Sequence, residues 1–453
     1  MSLLSGKLLR LLGLGLLASA SAIEGSHQSA PTAQTLNGTY EGLHLPDWDQ
    51  DAFLGMPFAQ PPVGPLRWRW PQSLNASFEG VRGATAYGHS CMQYGSNFSL
   101  SEDCLTINVY NLSGIVKVSQ DMGRPIVAVS MNYRLGMWGF LQSPQILAEG
   151  SSNAGLLDQR LSLRWVQENI GAFGGDPARV TVWGESAGAQ SIAYQMFAYG
   201  GRDDGLFRSA ILESGGPTGA QAEPLSWYGG AFENLTRAVG CFGNGNSASA
   251  SAKDQLACLR SVDQASLFAA HPSVVWNPLL DGDFLPAYPS QLMREGKFLR
   301  VPLLTGANTD ETFSLPGVQD TEEELFDAFL GWRSYALTPP TIRRLLALYP
   351  DDDDPSSCQA PPPPRAITNC STPRPGVGRQ WRRGAAIGSD LVMIAQRRRM
   401  AELLTAAKQK VYSYRFDQRP WDGPEWDGVK HFQNVAFSFQ NISGRLGPSA
   451  YDG

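Results

Sequence analysis

The feature that most constrains the fold of this chain is the run GESAG at 184–188, because its two flanks differ in character. The run RVTVWG at 179–184 is β-branched and typical of a buried strand, whereas AQSIAYQMF at 189–197 favours a helix. A strand, a sharp glycine-lined turn and a helix form a nucleophile elbow, which exposes the central serine. We therefore predict that Ser186 is a nucleophile. The backbone N–H of Ala187, at the helix N-terminus, is the predicted oxyanion-hole donor.

Short apolar runs alternate with helical patterns along the rest of the chain. They predict strands at 124–133, 208–214, 301–306 and 411–416, and helices at 156–170 and 389–409. This alternation indicates an α/β fold with a mostly parallel central sheet and helices on both faces. Large α/β enzymes reach 453 residues around one sheet, so we expect one catalytic domain.

Composition excludes several classes of function. A formal net charge of -6 gives no electrostatic reason to bind nucleic acid or an anionic membrane surface. No cysteine spacing resembles a zinc site. Beyond the first residues, no stretch is long and apolar enough to span a membrane.

The N-terminus has the pattern of a secretory signal peptide. Lys7 and Arg10 form a basic start, 11–17 is apolar, and Ala20 and Ala22 form a small-residue cleavage site. We predict a signal peptide over 1–22, a mature domain over 23–453, and secretion to the extracellular space. Seven glycosylation sequons fit export: Asn37, Asn75, Asn97, Asn111, Asn234, Asn369 and Asn441.

The six cysteines also fit an oxidising destination, where disulfides are expected rather than metal ligation. Pairing between sequence neighbours is the simplest arrangement and closes three local loops. The pairs would be Cys91 with Cys104, Cys241 with Cys258, and Cys358 with Cys370. Sequence alone leaves the connectivity open, because six cysteines allow many pairings.

A serine hydroxyl needs a base, and in elbow-bearing hydrolases the order along the chain is serine, acid, histidine. Two of the five histidines follow Ser186, namely His271 and His431. We prefer His431, because it lies in a loop near the C-terminus after the turn-rich stretch 419–430. The three histidines that fail the order are His27, His44 and His89.

The acid must lie between Ser186 and His431, on a loop after a strand, where it can orient the imidazole. The stretch VPLLTGANTDETF at 301–313 provides two such carboxylates, Asp310 and Glu311. Position alone does not decide between them.

Longer motifs resemble the type-B carboxylesterase and lipase family, which includes the cholinesterases and fungal lipases. They are FLGMPFAQPPVGPLRW at 53–68, SEDCLTINVY at 101–110, SMNYRLGMWGFL at 130–141, the run from 153 to 189 that contains GESAG, LLDGDFLP at 279–286, GANTDET at 306–312 and GVKHF at 428–432.

The resemblance implies an α/β-hydrolase fold and hydrolysis of carboxylic esters through an acyl-serine intermediate, with acyl esters or lipids as the expected substrates. It selects Glu311 as the acid beside Ser186 and His431. It also implies two of the three cysteine pairs, Cys91–Cys104 and Cys241–Cys258. No cofactor or metal is expected, because an oxyanion hole supplies the electrophilic help.

The sequence departs from the family at two places. Only NLSGIVKVSQDMG, 111–123, stands where the family has another strand and an HGGGF-like oxyanion loop, and no HGGG run occurs in the chain. The sequence also ends at Gly453, where the family has further helices. We therefore expect a domain that is incomplete at 111–123 and at its C-terminus, with one strand missing. The intact flanks favour removal of a coding segment in the gene prediction over a genuine adaptation.

This departure leaves a second interpretation open. The chain could be a catalytically impaired or non-enzymatic, cholinesterase-like binding protein, because half of its oxyanion hole is missing. Such relatives usually lose the nucleophile, whereas Ser186 is present. Hydrolysis is therefore the preferred prediction.

Overall fold

The computed structural model describes residues 30–95, 98–109, 112–218, 222–242, 252–311, 315–332, 337–349, 351, 376–419 and 427–440. The predicted signal peptide and the pair Cys358 and Cys370 lie outside these residues. So do four of the sequons, Asn97, Asn111, Asn369 and Asn441. No helix among the described residues is long and apolar enough to cross a membrane.

The described strands are β1 (Thr32–Thr35), β2 (Gly38–Glu41), β3 (Leu43–Leu45), β4 (Gln50–Pro57), β5 (Val81–Gly83), β6 (Ser90–Cys91), β7 (Leu100–Ser101), β8 (Thr106–Val109), β9 (Val129–Met131), β10 (Thr181–Glu185), β11 (Ser209–Glu213), β12 (Leu303–Asn308) and β13 (Val411–Phe416).

The described helices are α1 (Ser113–Asp121), α2 (Gly136–Phe140), α3 (Pro144–Ala148), α4 (Ala154–Asn169), α5 (Ala187–Phe197), α6 (Gly229–Ala238), α7 (Ala252–Ser261), α8 (Gln264–Ala269), α9 (Pro289–Glu295), α10 (Glu322–Gly331), α11 (Pro339–Leu348), α12 (Trp381–Ser389), α13 (Ala395–Ala406) and α14 (Asn434–Ser438). A π-helical turn, Asp390–Ile394, joins α12 to α13.

Two four-stranded sheets form the centre of the molecule. Strands β10, β11, β12 and β13 pair in that order, all parallel, which confirms the predicted α/β class. Strands β3, β4, β8 and β9 form the other sheet, and their pairs are antiparallel. Within the described residues, β9 and β10 are edge strands of separate sheets and share no ladder. The central sheet is thus divided between β9 and β10.

The predicted strand at 124–133 is much shorter in the structure, where β9 covers only Val129–Met131. These three residues pair with β8, which itself ends at Val109. Without a second neighbour, the apolar residues before β9 stay outside the ladder, and Ile126 and Val127 remain 45% and 38% exposed. Because β9 pairs only with β8 among the described strands, the length of β8 limits the length of β9.

The segment between β8 and β9 forms helix α1 rather than a strand. It contains the β-branched residues Ile115, Val116 and Val118, which favour strands over helices. None of the residues of α1 is buried, and no side chain caps its N-terminus. This segment therefore lies at the surface and does not join the two sheets.

The predicted helices are present and bury one face of the parallel sheet. The prediction at 156–170 corresponds to α4, and that at 389–409 to the π-helical turn followed by α13. Side chains of α4, α5, α9 and α13 pack with Ala210, Leu212 and Leu303 in one apolar cluster. On the opposite face, in the part of the chain described, Leu304 and Tyr412 are 38% and 64% exposed. Among the described residues, α14 and the residue after it contact this face, through Phe437 on Phe416 and Phe439 on Trp183.

Buried cross-links fix the loops around the sheets. Disulfides join Cys91 to Cys104 and Cys241 to Cys258. The guanidinium of Arg134, on the loop after β9, binds Asp158 of α4 through Nε at 2.8 Å and through a second nitrogen at 2.6 Å. Only 3% of the Arg134 side chain and none of the Asp158 side chain is exposed. This pair connects the antiparallel sheet to the helix that leads into β10.

We expect Arg134→Met to lower the free energy of unfolding by about 3–5 kcal/mol, because it leaves the Asp158 carboxylate buried without its counter-charge. Lys117→Met is the matched control, since the Lys117–Asp121 pair is solvent-exposed and its loss should cost about 0.5 kcal/mol or less. Chemical denaturation of both variants measures the difference. Equal stability of the two would show that the buried pair does not secure this connection.

Candidate active site

The turn between β10 and α5 presents Ser186 in a strained conformation. Strand β10 ends at Glu185, α5 begins at Ala187, and Ser186 between them has φ 55° and ψ -118°. A positive φ is costly for a residue with a side chain and persists only where neighbours enforce it. A Cβ on Gly184 would lie 2.5 Å from the carbonyl carbon of Gly188, so this turn requires glycine. The GESAG run therefore forms the predicted elbow.

His431 lies between Ser186 and Glu311. Its Nε2 is 2.7 Å from Oγ of Ser186, and its Nδ1 is 2.6 Å from Oε2 of Glu311. The backbone helps to hold this arrangement, because His431 N–H donates to the carbonyl oxygen of Glu311 at 3.0 Å. Glu311 is 1% exposed, and its Oε1 accepts the backbone N–H of Asn308 at 2.6 Å. One imidazole thus joins a hydroxyl to a buried carboxylate.

The two alternative residues lie elsewhere. His271 is exposed, has its Nδ1 3.0 Å from the carbonyl oxygen of Phe268, and stacks on Tyr94 at a centroid distance of 3.8 Å. Asp310 accepts the backbone N–H of Val429 at 2.7 Å, which ties the loop before His431 to the end of β12. The structure brings Glu311, and not Asp310, to the imidazole.

Ala187 is the first residue of α5, directly after Ser186. The first backbone N–H groups of a helix have no partner within the helix, so they and the helix dipole favour negative charge beside Ser186. Among the described residues, no group of three or more His, Cys, Asp or Glu side chains could hold a metal ion.

Two further carboxylates, Glu185 beside His431 and Glu213 on the strand next to Glu185, were not predicted from the sequence. Oε1 of Glu185 lies 3.3 Å from Nε2 of His431, and Glu185 pairs in register with Glu213 of β11. Burial raises the pKa of Glu185 to about 7, and the charges of Glu311 and Glu213 add to this rise while His431 opposes it. A G-x-S-x-G motif does not specify its second residue, here Glu185. The only sequence signal for this residue was therefore the alternation of side chains along β10.

The pKa of His431 reflects the same surroundings. Burial lowers it, but the hydrogen bond and charge of Glu311, together with the charge of Glu185, outweigh burial and raise it above the ordinary value. Carboxylates near an imidazole stabilise its protonated form. The surroundings of His431 therefore stabilise its protonated form.

Comparison with known proteins gives the same family as the motifs. The Carboxylesterase family model matches residues 29–120 and 112–448, two segments that overlap at 112–120. Lipase 4 of Diutina rugosa is 35% identical over 444 residues, which cover 82% of this chain and 77% of that protein. A secreted lipase of Arthroderma benhamiae is 32% identical over 91% of this chain and 77% of its own length.

A solved structure extends the likeness to three dimensions. The crystal structure of Aspergillus niger EstA superposes with a TM-score of 0.78 and 28% sequence identity, covering 93% of this chain and 84% of that chain. The fold is accordingly an α/β-hydrolase fold. The chain belongs to the carboxylesterase family and is a carboxylic ester hydrolase of the carboxylesterase and lipase type.

Proposed function

We propose that this protein is a secreted serine hydrolase of acyl esters, lipid esters included, in which Ser186, His431 and Glu311 form the catalytic triad. The observation that carries the proposal is the pair of contacts of His431, at 2.7 Å to Oγ of Ser186 and 2.6 Å to Oε2 of Glu311. A base between a nucleophile and an orienting carboxylate is the arrangement that activates a serine.

In the first half-reaction, Nε2 of His431 accepts the proton of the Ser186 hydroxyl while Oγ forms a bond to the ester carbonyl carbon. The carbonyl π electrons move to its oxygen, which becomes an oxyanion. Glu311 accepts a hydrogen bond from the Nδ1–H group of His431. The carboxylate stabilises the imidazolium but does not itself become protonated. The raised pKa of His431 supports this role.

The oxyanion returns its electrons as the carbon–oxygen bond to the alcohol breaks, and His431 protonates the departing alcohol. Water then repeats the sequence on the acyl-serine and releases the acid. The Ala187 N–H stabilises the oxyanion at both stages. Because the chain lacks an HGGG run, we expect turnover slower by about 10²- to 10³-fold for each missing donor.

A purely binding role is the alternative, with the fold retained and chemistry lost. Such a protein has no need of a strained Ser186 in contact with His431, whereas hydrolysis requires both. We therefore favour the enzyme. The domain proposed to carry it is 23–453, incomplete at 111–123.

Titration with a fluorophosphonate probe tests the triad directly. We expect labelling at Ser186 and a rate lower by about 10⁴-fold or more in His431→Ala, because the serine then has no base. His271→Ala is the matched control and should label at the rate of the unmodified protein. Undiminished labelling of His431→Ala would overturn the choice of base, and no labelling of the unmodified protein would favour the binding role.

The pH dependence of labelling tests the state of His431. Protonated His431 cannot accept the serine proton, so the rate should fall as the pH drops through the pKa of His431. That pKa is raised, so the midpoint should lie above the ordinary histidine value of about 6.5. Glu185→Gln removes one of the charges that raise it and should move the midpoint to lower pH. A midpoint below the ordinary value that Glu185→Gln leaves in place would contradict this account.

Secretion is supported by the signal-like N-terminus and by the description of the Arthroderma relative as a secreted lipase. Expression in a secreting host should deliver the protein to the medium with Ile23 as its first residue, which N-terminal sequencing measures. Protein that stays in the cells with the first 22 residues attached would contradict the proposal.

A further inference from the structure

Helix α14, which follows His431, packs on the face of the parallel sheet opposite α4, α5, α9 and α13. Phe437 packs on Phe416 of β13 with ring centroids 5.1 Å apart, and Phe439, just after α14, stacks on Trp183 of β10 at 4.8 Å. These two aromatic pairs flank the middle of the sheet. A side chain that contacts α14 between these two aromatic pairs can therefore influence the position of the loop that carries His431.

That middle position holds a carboxylate. Glu185, Glu213, Gly306 and Tyr414 are directly paired across β10 to β13, so their side chains point to the same face. Glu213 is 6% exposed. Gly306 has no side chain, and a Cβ there would lie 1.9 Å from the Tyr414 ring, so only glycine lets this ring lie across the strand.

Four side-chain donors converge on Glu213. Its Oε2 accepts Nδ2 of Asn434 at 2.9 Å, and its Oε1 accepts Oγ of Ser438 at 3.0 Å, both from α14. Trp183 and Tyr414 hydrogen-bond to it from the sheet. Because an ionised carboxylate only accepts, Glu213 is suited to four donors in a way that an amide is not.

The orientation of the Asn434 side-chain amide links Glu213 to the residues of the proposed triad. Asn434 turns its amide nitrogen towards Glu213, so its Oδ1 is left to accept Nδ2 of Asn308 at 3.1 Å. Asn308 donates the same nitrogen to the carbonyl oxygen of Lys430 at 2.7 Å, and its backbone N–H to Glu311 at 2.6 Å. The network thus ends on the residue before His431 and on the acid that orients it.

Glu213 also contacts the nucleophile elbow through its main chain. Its carbonyl oxygen accepts the backbone N–H of Ser186 at 2.9 Å. One residue therefore supports Ser186 directly and the His431 loop through Asn434 and Asn308.

Stability alone gives no reason for a carboxylate at this position. Glu213 lies beside Glu185 in the sheet, and like charges on directly paired residues are unfavourable. The neighbouring row on the same face is Ile211 with Leu304, both apolar. An apolar side chain would suit the sheet, whereas it could not orient Asn434.

We propose that Glu213 is a positioning residue for ester hydrolysis, which acts through Asn434 and Asn308 to hold His431 in line between Ser186 and Glu311. The inference rests on the proposed triad, and Glu213 itself touches neither substrate nor reacting atoms.

The test exchanges the carboxylate of Glu213 and the side-chain amide of Asn434 between the two positions. Glu213→Gln should lower kcat on a p-nitrophenyl ester by about 10- to 100-fold with little change in KM, because a shifted imidazole impairs chemistry rather than binding. Asn434→Asp should cause a similar loss by placing a second carboxylate against Glu213. In the double variant, the carboxylate introduced on α14 can accept both from the amide introduced on β11 and from Asn308. We therefore expect kcat to return to within about 3-fold of the unmodified protein.

Tyr414→Phe is the matched control. It removes one donor to Glu213 that has no connection to α14, and should keep kcat within about 2-fold. Thermal melting reports whether each variant folds. If Glu213→Gln does not fold, Asn434→Ala replaces it, with the same expected loss of kcat.

A second readout does not depend on turnover. The Nδ1 proton of His431, held by Glu311, should give a far-downfield proton NMR signal in the unmodified protein and in Tyr414→Phe, and in Glu213→Gln the signal should shift or broaden. A protein without turnover but with this pattern would contradict the proposed function alone. Folded Glu213→Gln with unchanged kcat and an unchanged signal, or a loss that the exchange does not restore, would overturn the role of Glu213.

Discussion

The backbone of Ser186 is the constraint on which the rest of the site depends. A serine with φ 55° at the junction of β10 and α5 is stable only because the turn is enforced from several sides. Gly184 gives the space, and the carbonyl of Glu213 on the neighbouring strand accepts the Ser186 N–H. The parallel pairing of β10 with β11 is thus part of the elbow. The loops that follow β12 and β13 then need only bring Glu311 and His431 to a hydroxyl that is already fixed.

The division of the sheet has the opposite effect, because it loosens the surroundings of that rigid turn. Among the described residues, β9 and β10 each have one strand edge outside a ladder, and edge N–H and C=O groups must be satisfied by water or side chains. Helix α4 and the Arg134–Asp158 pair bridge the break instead of a strand. Ser186 therefore belongs to a well-connected parallel sheet, while the region where a second oxyanion donor is expected has no matching sequence.

Two carboxylates, Glu311 and Glu185, contact the His431 imidazole, and a third, Glu213, lies beside Glu185 in the sheet. Glu311 is buried in a hydrogen-bonded turn, Glu185 has its pKa raised to about 7 by burial first of all, and the pKa of Glu213 is raised by burial against the effect of its donors. Negative charge around His431 favours the imidazolium form of its side chain. The same negative charge is unfavourable when His431 is neutral. Hydrogen-bond donors to Glu311 and to Glu213 offset this cost.

The sequence by itself determined the family and predicted the elbow and the order of the proposed triad, because these depend on local patterns. A strand, a glycine-lined turn and a helix can be recognised within one short stretch, and His431 is preferred over His271, the other histidine that follows Ser186, by its position. The choice of Glu311 over Asp310 came from the resemblance, since both residues follow the same strand.

Only the tertiary structure decided which side chains meet across strands. The length of β9, the helical state of 113–121 and the row that joins Glu185, Glu213, Gly306 and Tyr414 depend on strand register between distant segments. Register is set by packing and by neighbouring strands rather than by local propensity. For this reason the sequence predicted the residues of the proposed triad, whereas the network around them could be recognised only in the folded chain.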